Sequence, residues 1–577
     1  MFWFVFFSAS ALSAICSCVM VNRYFSFKLH KNTFPFTLAT LTVNMFLLLS
    51  ITYLLPMDVF QTALLGYEDG GSNPNTTVTT LNDASVTTFK RAIVTPLYKR
   101  NPEQAQLPNL ALFWALVYWI EFFVCWFVLP VLISYIDLKY VFPEEQGISR
   151  RHQVWRRIRT AIFNNIKFYA LCGVVFLIGF IYLVVGMKRG VKDIKPLIIS
   201  LSHLYSLSYT LILLAMGLIL LPKVLLMEKN DEKKLFVELS KSNDELNDSK
   251  LNLTDYAEKI LSVPDIGNGD VVLKQAVTEC KLEVQSLVNE LKFSVPRLNN
   301  TANSNGITLN KINNYYNGFK TEYYNYLYNQ TRSDSIIHTL ALSQNKSLSM
   351  GRALLRKVLG CLCLLLSLLV AVLEVTPVKF AHSWIFWGNS WWNFLLEISI
   401  LVYNTMVSLY AMSCFKFQNF HLIPNGQSSP KNTLYFSLYS SRLLLPLCFN
   451  FMTLIPHEHG SQSTFERVLY KDLTLIPLVN FLNNYLPVFF IIIVPLSYQF
   501  DLKEKVLLRV LGEEYYYELF GMMSDPLIQD DQDQTPTHRT RMGEDYEYSL
   551  QDGRYLFERA TSNYNMRENS ENAHVYV

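Results

Sequence analysis

Long apolar runs alternate with polar intervals along this chain, and the runs are too long for the core of a soluble domain. Nine stretches, roughly 1–21, 34–55, 108–136, 168–187, 198–221, 355–376, 391–414, 433–455 and 478–499, are mostly apolar. A helix needs about 20 such residues to cross hydrocarbon. The pattern predicts an all-α, polytopic membrane protein of about nine transmembrane helices. The first stretch contains the small-residue string SASALSA but no basic n-region, and Arg23, Lys28 and Lys31 follow it. It is therefore expected to stay as an anchor with its N-terminus outside, not to be cleaved.

Orientation follows from lysine and arginine in the short intervals. The interval after the third stretch carries Arg150, Arg151, Arg156, Arg157 and Arg159 and is expected to face the cytosol. Residues 56–107 then lie outside, where Asn75 sits in an Asn-Thr-Thr glycan acceptor, and the C-terminus lies in the cytosol. The basic KRGVKDIK (188–195) and the sequons at Asn252 and Asn329 run against this orientation, and the arginine-rich interval outweighs them. Either the plasma membrane or an endomembrane (ER, endosome or vacuole) suits such a chain. Within the same interval, 146–166 places Val154, Trp155, Ile158, Ile162 and Ile166 on one side and arginines on the other. That segment is either a topology signal alone or a helix lying on anionic lipid headgroups.

Residues 222–354 form the one large polar insertion, expected as a cytosolic, coiled-coil-like helical domain. Leu239, Leu246, Leu253 and Ile260 recur every seven residues, a seam interrupted by Ser242 and Ser249. The string SVPDIGNGD breaks that helix, a second is expected over 271–293, and a third puts Ile312, Tyr316, Phe319, Tyr323 and Leu327 on one face. The domains predicted are thus 1–221 (five membrane helices), 222–354 (the insertion), 355–499 (four more), a juxtamembrane helix over 500–523, and a disordered acidic tail over 524–577. Tyr516 to Leu519 has the form of a sorting signal, and Val575-Tyr576-Val577 that of a strand-adding C-terminus.

Composition agrees: of 577 residues, 51% are hydrophobic and only 17% charged, too little charge for a soluble protein of this length. The net charge of +3 says little, because the sign of each loop matters more than the sum, and no nucleic-acid partner is expected. Eight of nine cysteines fall in or beside apolar runs, which excludes a secreted disulfide framework. The C-x-C pairs at 16/18 and 361/363 fit small-hydrophobe filling better than metal ligation or palmitoylation.

Catalytic patterns are missing from the sequence. GNGD (267–270) lacks the lysine and strand–helix setting of a phosphate loop, HEHG (457–460) is not a zinc motif, and SLYSSRL has no nucleophile elbow. No enzyme activity, cofactor or metal is expected. What stands out instead is polarity at membrane depth: Glu121, His203, Glu397, Arg442 and Asn450, with Asn44 and Asn404 weaker. Such groups face a bundle interior or water, as helix-to-helix glue or as a solute path. Arg442 and Glu121 count to similar depths in oppositely running spans, which predicts an ion pair between them. Pro446 would also free the Arg442 carbonyl from its usual donor.

Two strings carry a family resemblance. The aromatic-rich LALFWALVYWIEFFVCWFVLPVLISYIDLKY (110–140), and Arg442 followed by Pro446-Leu447-Cys448 and Asn450-Phe451, resemble the limb-region / lipocalin-receptor (LIMR-like) family of nine-span membrane proteins. The closer likeness is to its branch called domain-containing protein 2. The resemblance runs to about residue 520 and implies a non-enzymatic receptor or signalling adaptor, in a branch linked to regulation of G-protein-coupled receptor signalling. It brings no catalytic residues. Protein partners are expected on 222–354 and the tail. The competing reading is a transporter or channel using the intramembrane charges.

Overall fold

A computed structural model of the protein describes residues 2–25, 36–69, 110–142, 150–187, 191–226, 232–263, 271–291, 308–344, 350–376, 390–414, 421–424, 426–455, 463–470, 477–499, 509 and 547–562. Most of these residues are helical, and among them the single strand-like contact is an isolated pairing of Phe25 with Gln427. We number the helices α1 (Phe2–Tyr24), α2 (Phe36–Asp69), α3 (Leu110–Asp137), α4 (Arg150–Met187), α5 (Val191–Leu226), α6 (Glu232–Leu261), α7 (Val271–Glu290), α8 (Leu309–Gln344), α9 (Met350–Val375), α10 (Ser390–Cys414), α11 (Pro430–Ser441), α12 (Leu444–Leu454), α13 (Pro477–Gln499) and α14 (547–562). The chain is an all-α polytopic membrane protein.

Among the described residues, six helices are long and apolar enough to span: α1, α2, α3, α5, α9 and α10. The expected stretches 168–187 and 478–499 lie in α4 and α13, and 433–455 is divided between α11 and α12. α2 and α10 form the centre of the bundle, with 67% and 61% of their spanning windows buried against 22% for α1. Gly217 of α5 lies so close to α10 that a Cβ there would strike the Val407 carbonyl, the small-residue contact that packs helices where lipid supplies no hydrophobic drive.

Several expectations need correction. α2 runs on through Pro56 to Asp69, so the interval predicted outside from residue 56 begins within a helix. The predicted surface helix 146–166 and the predicted fourth span, 168–187, join into one helix, α4. The third span contains a π turn, Val124–Val128. Pro130 explains it: the ring has no N–H for the carbonyl four residues back, and the Trp126 carbonyl accepts the Tyr169 hydroxyl of α4 instead. Asn75, the 500–523 helix (residue 509 apart), Tyr516 to Leu519 and Val575-Tyr576-Val577 lie outside the described residues.

Two apolar cores build the insertion. The first joins α6, α7 and α8 around Leu253, Val284, Phe319 and Tyr323, and it also encloses Tyr140 from the end of α3. Leu239, Leu253 and Ile260 of the seven-residue seam are buried, and Leu246 is half-buried. Ser242 and Ser249, which looked like weak points, are buried in the same seam and partnered across it. Ser242 shares a 2.9 Å hydrogen bond with Ser333, and Asn329 donates to Ser249 at 3.1 Å. A satisfied polar layer of this kind fixes the register of two helices. It also buries the Asn329 sequon.

The tail departs furthest from expectation. Residues 547–562, predicted disordered, form α14 and close the second core of the insertion with Leu235, Phe236, Leu239, Ile336 and Leu340. The acidic, asparagine-rich composition hid a short helical stripe of Leu550, Gly553, Leu556 and Phe557.

Candidate functional site

The end of α3 is where the membrane bundle meets the insertion. Its last carbonyls have no intrahelical donors, and other elements supply them. From α4, Arg157 donates to the Tyr135 and Ile136 carbonyls at 2.7 and 3.3 Å, its guanidinium over the Tyr135 ring. From α8, Asn313 and Asn317 donate to the Asp137 carbonyl at 2.6 and 3.0 Å, and Asn313 accepts the Tyr140 N–H. From α11, Lys431 grips the Asp137 carboxylate at 2.8 and 3.0 Å.

Glu283 of α7 completes the junction. One carboxylate oxygen accepts from Lys139 and from the Tyr140 hydroxyl, both at 2.5 Å. The other accepts the Tyr316 hydroxyl at 2.7 Å and lies 3.7 Å from Lys320. Desolvation works to raise the Glu283 carboxyl, but Lys139 and then Lys320, with the hydrogen bonds, overcome it and hold it at about 2. Lys320 is pulled the other way, because its own burial outweighs the attraction of Glu283 and lowers its ammonium. The closer Lys139 is thus the principal counter-charge. Burial first, and then the Glu283 charge, push both the Tyr140 and Tyr316 phenols upward. At neutral pH the cluster is one carboxylate clamped by two lysines and two neutral phenols, a firm link between a membrane helix and an extramembrane domain. A second link lies alongside, where His421, whose carbonyl accepts from Asn432, packs on Tyr328 with ring centres 4.3 Å apart.

The polar residues predicted at membrane depth are placed separately, and the Arg442–Glu121 ion pair is not made. The predicted eighth span breaks at Ser441–Arg442–Leu443, four residues before Pro446, where the proline removes the helical donor. Counting depth along an unbroken helix was therefore the wrong geometry. Arg442 is exposed, with its guanidinium over the Tyr439 ring at 5.4 Å. Glu121 is buried, and neither of its carboxylate oxygens has a hydrogen-bond partner among the described residues. Glu397 is buried on α10 with one oxygen in the same state. His203 packs edge-on to Phe449. Asn450 donates to Glu374 at 2.5 Å, and Asn44 links α2 to α11 through Ser437.

Of the five arginines predicted on a lipid surface, Arg151, Arg156 and Arg159 are exposed, whereas Arg157 turns inward to cap α3. The side chain of Arg150 is outside the described residues. Sequence reasoning missed two carboxylates. Glu374 sits one residue before the end of α9, and Asp58 fell inside the supposed outer loop. Asp58 is fully buried and accepts from Trp114 Nε1 and from the backbone N–H groups of Thr464 and Phe465, at 3.1, 3.1 and 2.7 Å. It thereby staples the segment after α12 to α2 and α3. The missed signal was an aspartate two residues beyond a proline, in a run still apolar on both sides. An apolar cavity of about 210 Å³ opens among Met20, Tyr24, Met45, Met406, Tyr410 and Phe436, between α1, α2, α10 and α11.

The sequence model of the LMBR1-like membrane proteins matches residues 1–500. The chain belongs to this family. Among curated relatives, the G-protein coupled receptor-associated protein LMBRD2 of Caenorhabditis briggsae is 22% identical over 452 residues, 68% of each chain. The protein of the same name from Gallus gallus is 25% identical over 260 residues, 43% of this chain and 34% of its own. LMBR1 domain-containing protein 2 homolog B of Dictyostelium discoideum is 23% identical over 297 residues, 50% of this chain and 33% of its own. This chain thus aligns with about a third of the latter two relatives' length. No solved structure matches. The family match takes in the α3–α7–α8 junction and stops short of α14.

Proposed function

We propose that this LMBR1-like protein is a non-enzymatic membrane adaptor for receptor signalling, associated with G-protein-coupled receptors as its relatives' names state, or with the trafficking of such receptors. In this reading the N-terminus lies outside, and the insertion 222–354 and the tail lie in the cytosol as the surfaces that partners meet. The observation that carries it is the grip of Glu283, Asn313 and Asn317 on the end of α3. A domain fixed so firmly to one spanning helix transmits a shift of that helix to whatever binds the domain, because packed interfaces move as units. The exposed arginines Arg151 and Arg159 beside Trp155 suit contact with anionic headgroups.

Proximity labelling in cells tests the reading. The partner set should include receptors and should collapse when 235–345 is deleted while membrane insertion is retained. An unchanged set would sink it. For orientation, Leu282→Cys, on an exposed face of α7, should resist membrane-impermeant reagents in sealed cells, and ready labelling would reverse the topology. A transporter remains the second reading because of Glu121, whose buried carboxylate has no hydrogen-bond partner among the described residues. Solute flux in vesicles that Glu121→Gln abolishes would favour it.

A further inference from the structure

α14 lies beyond the family-matched region, yet it seats on the insertion. It is amphipathic: Gly553 and Phe557 are buried, Leu550 and Leu556 pack on the core beneath, and Tyr548, Arg554, Tyr555, Glu558 and Arg559 are exposed. The groove it fills is made by one turn of α6 (Leu235, Phe236, Leu239) and the facing turn of α8 (Ile336, Leu340). Phe557 meets the Phe236 ring edge to face at 5.9 Å, and Ser240 donates to the Asp552 carboxylate at 2.8 Å. At the crossing point Gly553 rides directly over the Phe236 backbone, where any Cβ would collide with the carbonyl. Backbone cannot step aside as a side chain can, so the helix can seat only with glycine there.

These five apolar groove residues are 1–9% exposed with α14 in place. Left bare they would form a contiguous apolar patch on an extramembrane domain, the kind of surface that finds a partner. The contact is small, however: one short helix, the Ser240–Asp552 hydrogen bond, the Arg554 guanidinium 5.9 Å from the Phe236 ring centre, and an Asp552 carboxylate that also faces Asp244 and, after burial, raises it. Forty-seven residues (500–546) separate α14 from the end of α13 along the chain, and covalent linkage gives an intramolecular partner a high effective concentration.

We propose that the α6–α8 groove is a docking surface for an amphipathic helix with a glycine at its crossing point, and that α14 is its resident cis-occupant, displaced when a partner helix of the same pattern binds. A weak contact held at high effective concentration suits this role, being closed at rest and open to competition. The consequence for signalling rests on the adaptor reading, but the latch is tested without any partner.

The test uses the full chain in phosphatidylcholine nanodiscs, a chain ending at residue 540, and a fluorescent peptide of residues 545–564. The shortened chain should bind the peptide, and the intact chain should bind it about 100-fold more weakly, since the tethered copy competes. A peptide with Gly553→Val should not bind, whereas one with Tyr555→Ala, altered on the exposed face, should bind as the parent does. Full-length Gly553→Val should bind the parent peptide like the shortened chain, which covers the case where truncation disturbs folding. Equal binding to intact and shortened chains, tolerance of Gly553→Val in the peptide, or no binding to either opened chain would overturn the proposal. So would a disulfide between Ser240→Cys and Asp552→Cys that forms only between two copies, because the occupant would then be a second molecule.

Discussion

Replacing Glu283 by glutamine keeps the shape of the junction and removes its charge. The carboxyl is held at about 2 against an ordinary 4.5, and each unit is worth 1.36 kcal/mol, so the ionised form contributes about 3 kcal/mol to the docked state. Glutamine stands in for the neutral form and should forfeit that amount, with Lys139 and Lys320 left facing each other. In opening equilibria this is about two decades. Hydrogen exchange in nanodiscs reads it directly: the amides of 137–142 should lose about 100-fold of protection, while those in α2 and α10 should not change. The sign with pH follows from the lowered value. Because the folded carboxyl lies below its unfolded one, the contribution is complete above pH 4.5 and is lost as pH falls towards about 2. Wild-type protection, corrected for intrinsic exchange, should therefore be flat from pH 7 to 5 and drop below that. Adding Lys139→Met to Glu283→Gln should restore part of the loss, since an uncompensated half-buried ammonium is then gone. If Glu283→Gln stays within twofold of wild type at 137–142, the junction is not held by this charge.

Further substitutions probe the bundle and the end of α3. Asp58→Ala leaves Trp114 Nε1 and the N–H groups of Thr464 and Phe465 without their acceptor. At roughly 1–3 kcal/mol per buried donor, it should free 463–470 to exchange, with Asp58→Asn milder because one acceptor oxygen remains. Gly217→Leu drives a side chain into the Val407 backbone and should lower the detergent melting temperature, by a destabilisation of about 3 kcal/mol or more. A melting point equal to wild type would deny the close crossing of α5 and α10. Arg157→Ala removes the cap of α3 and should cost about 1–2 kcal/mol in a thermal melt. Arg151→Ala and Arg159→Ala, both on exposed residues, should cost under about 0.5 kcal/mol, and equal losses at all three would restore the surface reading of Arg157.

Linear pattern determined what depends on local burial against lipid or water. Apolar runs of spanning length fixed the class, and the seven-residue spacing of Leu239, Leu253 and Ile260 marked the buried face of α6 correctly. SVPDIGNGD marked its end, and the two quoted strings were enough to name the family. Tertiary structure decided which polar side chains meet. Arg442 and Glu121 were matched by counting residues along one unbroken helix, whereas the span breaks at Ser441–Arg442–Leu443, before Pro446, and Arg442 turns to an exposed face while Glu121 is buried. Ser242 and Ser249 looked like faults in a seam until Ser333 and Asn329, some 80 to 90 residues away, supplied their partners. Glu283 looked like any helical glutamate, because what distinguishes it comes from α3 and α8. Composition also misjudged 547–562. A lone helix of that length is marginal in water, and what stabilises it is an apolar groove some 200 to 300 residues earlier in the chain, which no local window contains.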